Sequence, residues 1–368
     1  MGLFNLRQKK SETAALSVQT SSYLRNGGWL SSYYPFTGRS RAYAAIREQV
    51  PIVDAAISKL VRLSDGFTFT TGDENADAML NGFMESVNVG GNQQGISAFA
   101  SNYLDQLLTF GTAVGEIVLS SEGMYALFNS DLSQVELKRA DNGLDVEFLS
   151  GGKKVSNPQL ILYSVLNPRP GDLCGTSLLS GLDFVSDLLM KIFATVGENW
   201  EHAGNIRYAV TCKDSGDDAE RRANEIAAAW GDAMTSDSVK DFVAVGDVSV
   251  SVIGADSKIL DSEIPVRQLL EQIVAKTGLP PFMLGLSWST TERMSAQQAD
   301  ILTTELEAYR RILTPVLKKI ANMYLALNGI AREAEVVWND ITLQDECEQA
   351  RAQLYLAQAE KLRGEALA

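Results

Sequence analysis

The stretch TGLPPFMLGLSWST (residues 277–290) combines two consecutive prolines with a cluster of large apolar side chains. Phe282, Leu284 and Trp288 belong to this cluster, although the prolines and glycines are typical of a connection between helices. Connections usually run over the surface and are polar, and an exposed apolar cluster promotes association with other molecules. The stretch therefore predicts side chains that are buried, either within this chain or against something that is not this chain.

Long helices are predicted on both sides of this stretch. Before it, apolar residues recur at three- and four-residue spacing over residues 261–277, which indicates a helix with one buried face. After it, the same spacing continues over residues 294–328 and includes Pro315. Because proline removes a backbone hydrogen bond and its ring clashes with the preceding turn, we expect this helix to bend there.

A third long helix is predicted upstream, after the proline- and glycine-rich stretch NPRPGDLCGTSLLSGL (residues 167–182). Thr176 or Ser177 could cap this helix, which extends to about residue 203. At about 1.5 Å per residue it would be about 40 Å long. Residues 205–254, which follow it, predict a strand, a helix and two strands, and together these make a small α/β module.

The first half of the chain predicts an α+β domain. A helix begins at Tyr43 and is interrupted at Pro51, DGFTFTTG indicates a short strand, and two more helices are predicted over residues 73–87 and 97–110. Residues 112–165 predict a β meander with glycine-containing turns. Residues 1–40 are rich in Ser, Gly and Arg with interspersed aromatics, which indicates a flexible arm that docks in part on a neighbouring surface.

The composition limits the class of function. The 368 residues carry a net charge of −14 and are 45% hydrophobic, which suits a globular protein but not tight nucleic-acid binding, because that affinity comes from Lys and Arg. No apolar run approaches the roughly 20 residues of a membrane helix, and we find no export or anchoring signal. Cys174, Cys212 and Cys347 are therefore expected to be reduced thiols.

Signals of catalysis and of cofactor binding are absent from the sequence. It has no phosphate-binding GxxxxGK[ST] loop, and His202 is its only histidine. No Cys-x-x-Cys or His pair indicates a zinc site. Neighbouring carboxylates such as Asp217 with Asp218, or Glu305 with Glu307, lie on predicted helix surfaces, where charges are usually solvated. We therefore predict a protein that is not an enzyme and that has no cofactor and no metal site.

The order of these elements resembles the portal proteins of tailed bacteriophages, which form the head–tail connector ring. Three local patterns carry the resemblance, and it covers about residues 45–330. The family's G-x-P-P-x-x-L-G pattern is matched by Gly278, Pro280, Pro281, Leu284 and Gly285. The family's arginine before an in-helix proline is matched by Arg310 or Arg311 with Pro315. Its glycine and small polar residue before the long helix are matched by Gly175, Thr176 and Ser177.

The resemblance implies an α+β, portal-type multidomain fold. Its parts would be a flexible N-terminal arm (1–42), an α/β wing of helices and antiparallel sheet (43–175), a stem helix (176–204), a small α/β clip (205–254), a return stem helix (255–281), a tunnel loop region (282–296), a long kinked helix with the return to the wing (297–342) and a short C-terminal crown helix (343–368).

The resemblance also implies the sites. The tunnel loop that faces the DNA channel would contain Ser287, Trp288, Ser289, Thr290, Thr291, Glu292 and Arg293. Contacts between subunits would involve Pro280, Pro281, Phe282, Leu284 and Pro315. Docking of partners on the clip would use Asp217, Arg221, Arg222 and Glu225.

A portal protein forms a closed homo-oligomeric ring, typically of twelve subunits, at one vertex of the capsid. Double-stranded DNA passes through it without sequence specificity during packaging and ejection. The implied partners are the terminase large subunit, a head–tail connector or adaptor protein and the major capsid protein, and no membrane is involved. The implied location is the portal vertex of the virion, after assembly in the host cytoplasm. The acidic composition agrees with this function, because a carboxylate-lined channel does not hold phosphates.

Two other functions stay open from the residues alone. One is a monomeric phage adaptor or scaffold that has no channel. The other is a phage nucleic-acid-processing enzyme, which would require a cluster of carboxylates to hold metal ions, and the sequence shows no such cluster.

Overall fold

A computed structural model gives the fold of the chain. It describes residues 18–20, 37–204, 207–212, 248–253, 262–286 and 292–341, together with single positions between 220 and 231 and Gln358. The chain divides into two compact units, one formed by Met1–Ser186 with Leu270–Ala368 and the other by Asp187–Leu269. The predicted crown helix (343–368) lies outside the described residues, Gln358 excepted.

The first unit begins with two helices that Pro51 separates, as the sequence predicted. α1 spans Thr37–Gln49 and α2 spans Pro51–Ser64. Proline is well suited to the first position of a helix, because the N–H it lacks would have no partner within the helix. Since α1 begins at Thr37 rather than at Tyr43, the predicted arm (1–42) extends too far into the folded unit.

Two further helices build the core of this unit. α3 spans Glu74–Ser86, and the Asp73 carboxylate caps its first turn by accepting hydrogen bonds from two backbone N–H groups at 3.0 and 3.2 Å. α4 spans Ile96–Phe110 and ends at Gly111 in the left-handed conformation. The side chains of Phe99, Tyr103 and Leu107 form a fully buried stripe on this helix.

The predicted single meander is wrong, since its strands form two separate sheets. The strands are β2 (Asn88–Val89), β3 (Gln93–Gln94), β4 (Thr112–Ser120), β5 (Gly123–Asn129), β6 (Val135–Arg139), β7 (Val146–Ser150), β8 (Lys153–Lys154) and β9 (Ile161–Val165). Five of them pair in the order β3-β2-β5-β4-β9, and the other three form the antiparallel sheet β6-β7-β8. β4 explains the split, because its residues from Thr112 to Val118 are all buried and such a strand requires a partner on both edges.

The largest sheet is also not purely antiparallel. β2 pairs with β5 in parallel, whereas β4 pairs with both β5 and β9 in the antiparallel sense. The two-residue strands β2 and β3 were not predicted, because segments so short carry no measurable alternation of apolar and polar residues.

The C-terminal part of the chain returns to the first unit. α7 spans Glu292–Leu327 with Pro315 inside it, and β12 (Glu335–Trp338) pairs antiparallel with β1 (Phe67–Thr70). The rings of Phe67 and Trp338 lie 5.0 Å apart across this pair. The strand β1 and the long helix were predicted, and the helix begins two residues earlier than expected. The bend at Pro315 stays a prediction.

The chain enters the second unit through α5, which spans Leu182–Gly204. The predicted start at Thr176 or Ser177 is wrong, because Gly181 has a φ of +90° that no helix accommodates. The helix therefore has 23 residues and a length of about 34 Å at about 1.5 Å per residue. Among the described helices, none combines the length and the apolar character that crossing a membrane would require.

The second unit contains an antiparallel pair, β10 (Arg207–Cys212) with β11 (Val248–Ile253). Residues 220 and 221 are helical, as the predicted α/β module requires. The predicted strand of this module between its helix and β11 (242–246) lies outside the described residues. α6 (Glu263–Thr277) then leads back to the first unit.

Candidate functional site

The stretch that follows α6 is held by two glycines. Gly278 has a φ of +70° directly after α6, and Gly285 has a φ of +76° after the 3-10 helix Pro281–Leu284. This left-handed conformation costs little for glycine and is unfavourable for other residues. The two outer glycines of the G-x-P-P-x-x-L-G pattern therefore set the direction in which the chain enters and leaves this turn.

The apolar residues of the turn have two different environments. Leu279 is 1% exposed, and Pro280 and Pro281 are buried as well. Leu284 is half-buried, but Phe282 is 47% exposed. The prolines therefore stabilise the turn from inside their own chain, and Phe282 is the residue that remains available for another molecule.

The residues predicted to contact a neighbouring subunit differ in their exposure. Phe282 and Pro315 are exposed, whereas Pro280 and Pro281 offer little surface to a neighbour. The role of each of these residues in a contact between subunits stays a prediction.

The tunnel loop is described only at its end. Ser287, Trp288, Ser289, Thr290 and Thr291 lie outside the described residues. Glu292 and Arg293 form the first turn of α7, so they belong to the helix rather than to the loop before it. Their place in a channel stays a prediction.

The predicted docking residues of the clip are described in part. Arg221 and Glu225 form an i,i+4 ion pair at 3.1 Å, and both side chains are more than half exposed. Such a surface pair contributes little to stability, because solvent screens it. The exposure of both side chains places them on the outer face of their helix. Asp217 and Arg222 lie outside the described residues.

α5 carries apolar residues that the sequence analysis did not select. Leu182 and Leu189 lie on the buried stripe of this helix. Phe193 and Trp200 lie outside this stripe, and they are 50% and 64% exposed. Their seven-residue spacing places the two rings on one face of the helix, with Gly197 between them. The signal was available in the sequence, since a helix that is apolar on two faces has more than one surface to cover.

A similar exposed residue occurs on α7. Ile301 is 64% exposed, although Leu302 and Leu306 beside it are fully buried. α7 thus packs one face within the first unit and keeps an apolar position on the other.

Of the two arginines that match the pattern before Pro315, Arg310 has a structural role. Its guanidinium is buried and donates to three backbone carbonyls, those of Ser64 at 3.2 Å, Asp65 at 2.9 Å and Asn339 at 2.6 Å. The first two carbonyls end α2, where backbone acceptors have no partner within the helix. The guanidinium carbon also lies 4.9 Å from the centre of the Trp338 ring. Burial lowers the pKa of Arg310, and neighbouring carboxylates oppose this effect.

The third pattern anchors the segment that precedes α5. The N–H of Thr176 donates to the Leu166 carbonyl at 2.7 Å, and the Ser177 hydroxyl donates to the Thr109 carbonyl at 2.6 Å. The same hydroxyl accepts the N–H of Leu179 at 2.9 Å. Ser177 is therefore a cap of a local turn against the end of α4, and not the first cap of α5.

The described residues offer few groups for metal binding or nucleophilic catalysis. Among the described residues, no three or more His, Cys, Asp or Glu side chains are arranged to hold a metal ion. Cys174 is half-buried, and burial raises the pKa of its thiol. A raised pKa keeps the thiol protonated, which makes it a poor nucleophile at neutral pH.

Comparison with solved structures shows what this chain is similar to. A chain in the virion of a native gene transfer agent (GTA) particle aligns with a TM-score of 0.63 over 89% of each chain, at 14% identity. A chain in the neck of the native GTA particle, computed with C12 symmetry, aligns with a TM-score of 0.58 over 83% of this chain and 85% of that one, at 15% identity. A HK97 family phage portal protein from Corynebacterium diphtheriae aligns over 79% of this chain and 92% of that one, at 14% identity and a TM-score of 0.45. No protein-family model and no curated protein sequence matches the chain.

The two GTA alignments cover most of both chains, so this chain shares the fold of those particle components. At identities of 14% and 15% the fold is what they have in common. The mixture of helices and sheets agrees with the portal-type fold that the sequence indicates.

Proposed function

We propose that this chain is a portal protein. It assembles into a ring at one vertex of a capsid, and double-stranded DNA passes through the ring during packaging and ejection. The observation that carries this proposal is the fold shared with a chain of the GTA virion over 89% of each chain. The chain acts as a structural component of the virion and not as an enzyme, and it assembles in the host cytoplasm.

The symmetry of the similar particle supports a ring of twelve copies. The neck of the native GTA particle was computed with C12 symmetry. A ring of identical chains joins two different surfaces of each subunit, and each of these surfaces has to exclude water. Exposed apolar residues are available on this chain for such contacts, namely Phe282, Phe193, Trp200 and Ile301.

The passage of DNA is assigned to the segment between the 3-10 helix and α7. Residues 287–291 contain four Ser or Thr residues and Trp288, and Arg293 follows in the first turn of α7. We place Trp288 and Arg293 at the narrowest part of the channel, where Arg293 makes weak contacts with passing phosphates. Salt screens one such contact per subunit. In addition, the net charge of −14 disfavours tight binding of phosphates, and we infer that the DNA stays free to slide.

The second unit provides the docking surface for other proteins. Its helix presents Arg221 and Glu225 outward, and charges of both signs fix the register of a partner. The proposed partners are the terminase large subunit during packaging and a head–tail connector or adaptor protein afterwards. The first unit meets the major capsid protein.

Electron microscopy of the purified protein in negative stain tests the proposal. We expect closed rings with a central hole wide enough for double-stranded DNA, and a molar mass close to twelve chains in multi-angle light scattering. A monomer at micromolar concentration, or a compact oligomer without a hole, would contradict the proposal and favour a scaffold or adaptor. Cleavage of DNA by the purified chain would favour a nucleic-acid-processing enzyme.

A further inference from the structure

A buried carboxylate lies in the middle of the five-stranded sheet. Glu116 belongs to β4, which has β5 on one edge and β9 on the other, and only 1% of the residue is exposed. A buried carboxylate is unfavourable unless hydrogen-bond donors or a cation compensate for the lost water. No ion pair of the described residues includes Glu116.

The donors to this carboxylate come from the N-terminal arm. The N–H of Gln19 donates to Oε1 at 3.0 Å, and the N–H of Thr20 donates to Oε2 at 3.0 Å. The Thr20 hydroxyl donates to Oε2 at 2.9 Å. Both oxygens are therefore satisfied by two consecutive residues that are almost a hundred positions away in the sequence.

Two further contacts fix the same short segment. The Ser130 hydroxyl, which is buried at the end of β5, donates to the Thr20 hydroxyl oxygen at 2.6 Å. On the other side, the N–H of Asn157 donates to the side-chain oxygen of Gln19 at 2.9 Å. Thr20 is itself completely buried. The segment is thus held by side-chain and backbone groups from three parts of the sheet region.

We propose that Glu116, Ser130 and the N–H of Asn157 form a docking site for a short peptide segment in a turn, and that residues 18–20 of the same chain occupy it. The site selects two consecutive backbone N–H groups followed by a hydroxyl, because a carboxylate with two free oxygens can accept all three donors. This inference is independent of the proposed ring, since it concerns contacts within one chain. It assigns a partner to the arm, which is therefore attached to the sheet at Gln19 and Thr20.

A second copy of the chain is the competing source of the peptide. Sixteen residues (21–36) separate Thr20 from α1, and such a segment spans at most about 60 Å. That reach would allow the arm to extend to a neighbour. We favour the same chain, because the structure seats residues 18–20 of this chain in the site.

A disulfide trap tests the site directly. Thr20→Cys and Ser130→Cys replace two hydroxyls whose oxygens lie 2.6 Å apart, in a background in which Cys174, Cys212 and Cys347 are changed to Ser. We expect mild oxidation to join the two cysteines within one chain, which denaturing non-reducing electrophoresis and peptide mass mapping detect. A bond between two chains would overturn the assignment of residues 18–20 of the same chain, and the absence of any bond would overturn the site.

Variants of the acceptor test the role of the carboxylate. In the two-cysteine background, Glu116→Gln places an amide donor against an N–H donor, so we expect disulfide formation to slow by about tenfold or more. Glu122→Gln is the matched control, because Glu122 is exposed in the turn after the same strand, and it should leave the rate unchanged. Equal rates in the two variants would show that Glu116 does not select the arm.

A change in the arm covers the case in which Glu116→Gln does not fold. Gln19→Pro removes the N–H that donates to Oε1 and leaves the sheet intact, whereas Gln19→Ala removes only the side-chain acceptor. We expect the proline variant to form the disulfide about tenfold more slowly than the alanine variant. Equal rates for these two variants would overturn recognition through the backbone.

Discussion

Gly175 lies directly against the backbone of Gly111, so close that a Cβ on Gly175 would be 2.0 Å from the Gly111 carbonyl oxygen. The same Cβ would be 2.4 Å from the Leu166 carbonyl oxygen. Backbone atoms cannot rotate away as the end of a side chain can, so any other residue would force the two segments apart. Because Thr176 bonds to Leu166 immediately afterwards, this crossing anchors the segment that leads into α5.

Gly175→Ala should therefore destabilise the first unit. Overpacking against backbone costs about 1–3 kcal/mol or more, and we expect the midpoint of thermal unfolding to fall accordingly. Gly197→Ala is the control, because a Cβ on Gly197 meets nothing within 4 Å and alanine favours a helix. A midpoint for Gly175→Ala that equals that of the unchanged chain would contradict this explanation of the glycine.

Arg310→Lys should be strongly destabilising in spite of the retained charge. A lysine has one donor centre and cannot reach the carbonyls of Ser64, Asp65 and Asn339 together. Carbonyls left without partners cost about 1–3 kcal/mol each, so we expect a loss of about 2–4 kcal/mol in urea unfolding. Arg311→Lys, on the exposed side of the same helix, should change the unfolding free energy little. A similar small effect of both variants would show that the carbonyl contacts of Arg310 are not important for stability.

Phe282→Asp should prevent ring assembly while the chain still folds. The ring of Phe282 is 47% exposed, so a carboxylate there meets water in the isolated chain but would be desolvated in a subunit contact. We expect a folded monomer in size-exclusion chromatography. Leu144→Asp is the control, because Leu144 is exposed at the turn between β6 and β7. Normal rings from the Phe282 variant would remove this residue from the subunit contact.

Leu284, which is half-buried in the same turn as Phe282, provides a second variant, in which an effect on assembly has to be separated from an effect on stability. We expect Leu284→Asp to prevent assembly as well, but with some loss of stability, because this side chain also packs within its own chain. Circular dichroism of the monomer separates the two effects. Rings from this variant at full stability would argue against the turn as an interface.

Reversal of Arg221 and Arg222 to Glu should weaken attachment of the packaging motor or of the connector protein. Arg221 is exposed in the second unit, and its ion pair with Glu225 is an exposed surface pair that contributes little to stability, so we expect the reversal to leave the ring intact. Reversal of Lys153 and Lys154, two consecutive exposed cations on β8, is the matched control. Pull-down of each partner with variant rings provides the measurement. Unchanged binding of both partners would exclude this helix as their docking surface.

Deletion of residues 287–291 should leave assembly intact and reduce the length of packaged DNA or its retention. The physical reason is the loss of the proposed constriction around the DNA. Replacement of the same five residues by Gly and Ser keeps the length of the connection but removes Trp288, and we expect a similar defect. Full-length and stably held genomes in particles with either variant would mean that the segment is only a connector.

Much of the order of elements could be predicted from local patterns. The break at Pro51, the cap at Asp73 and the glycine that ends the 3-10 helix all follow from what one residue does to the backbone within three positions of it. The pairing of β4 with β9 could not be predicted in this way, because the buried run of β4 predicts a central strand but not its neighbour. The helix start at Leu182 was missed for a related reason, since Ser177 has the chemistry of a cap but uses it on a turn.

The sequence by itself determined where the chain turns and which faces of its helices are apolar, because backbone restriction and helical spacing act over a few residues. Only the tertiary structure decided which polar groups meet. Thr20 reaches Glu116 across 96 positions, and Arg310 reaches Ser64 across 246. It also decided that Pro281 is inside and Phe282 outside. Such contacts depend on which groups lose their water together, and that is set by packing between distant segments, which no local pattern encodes.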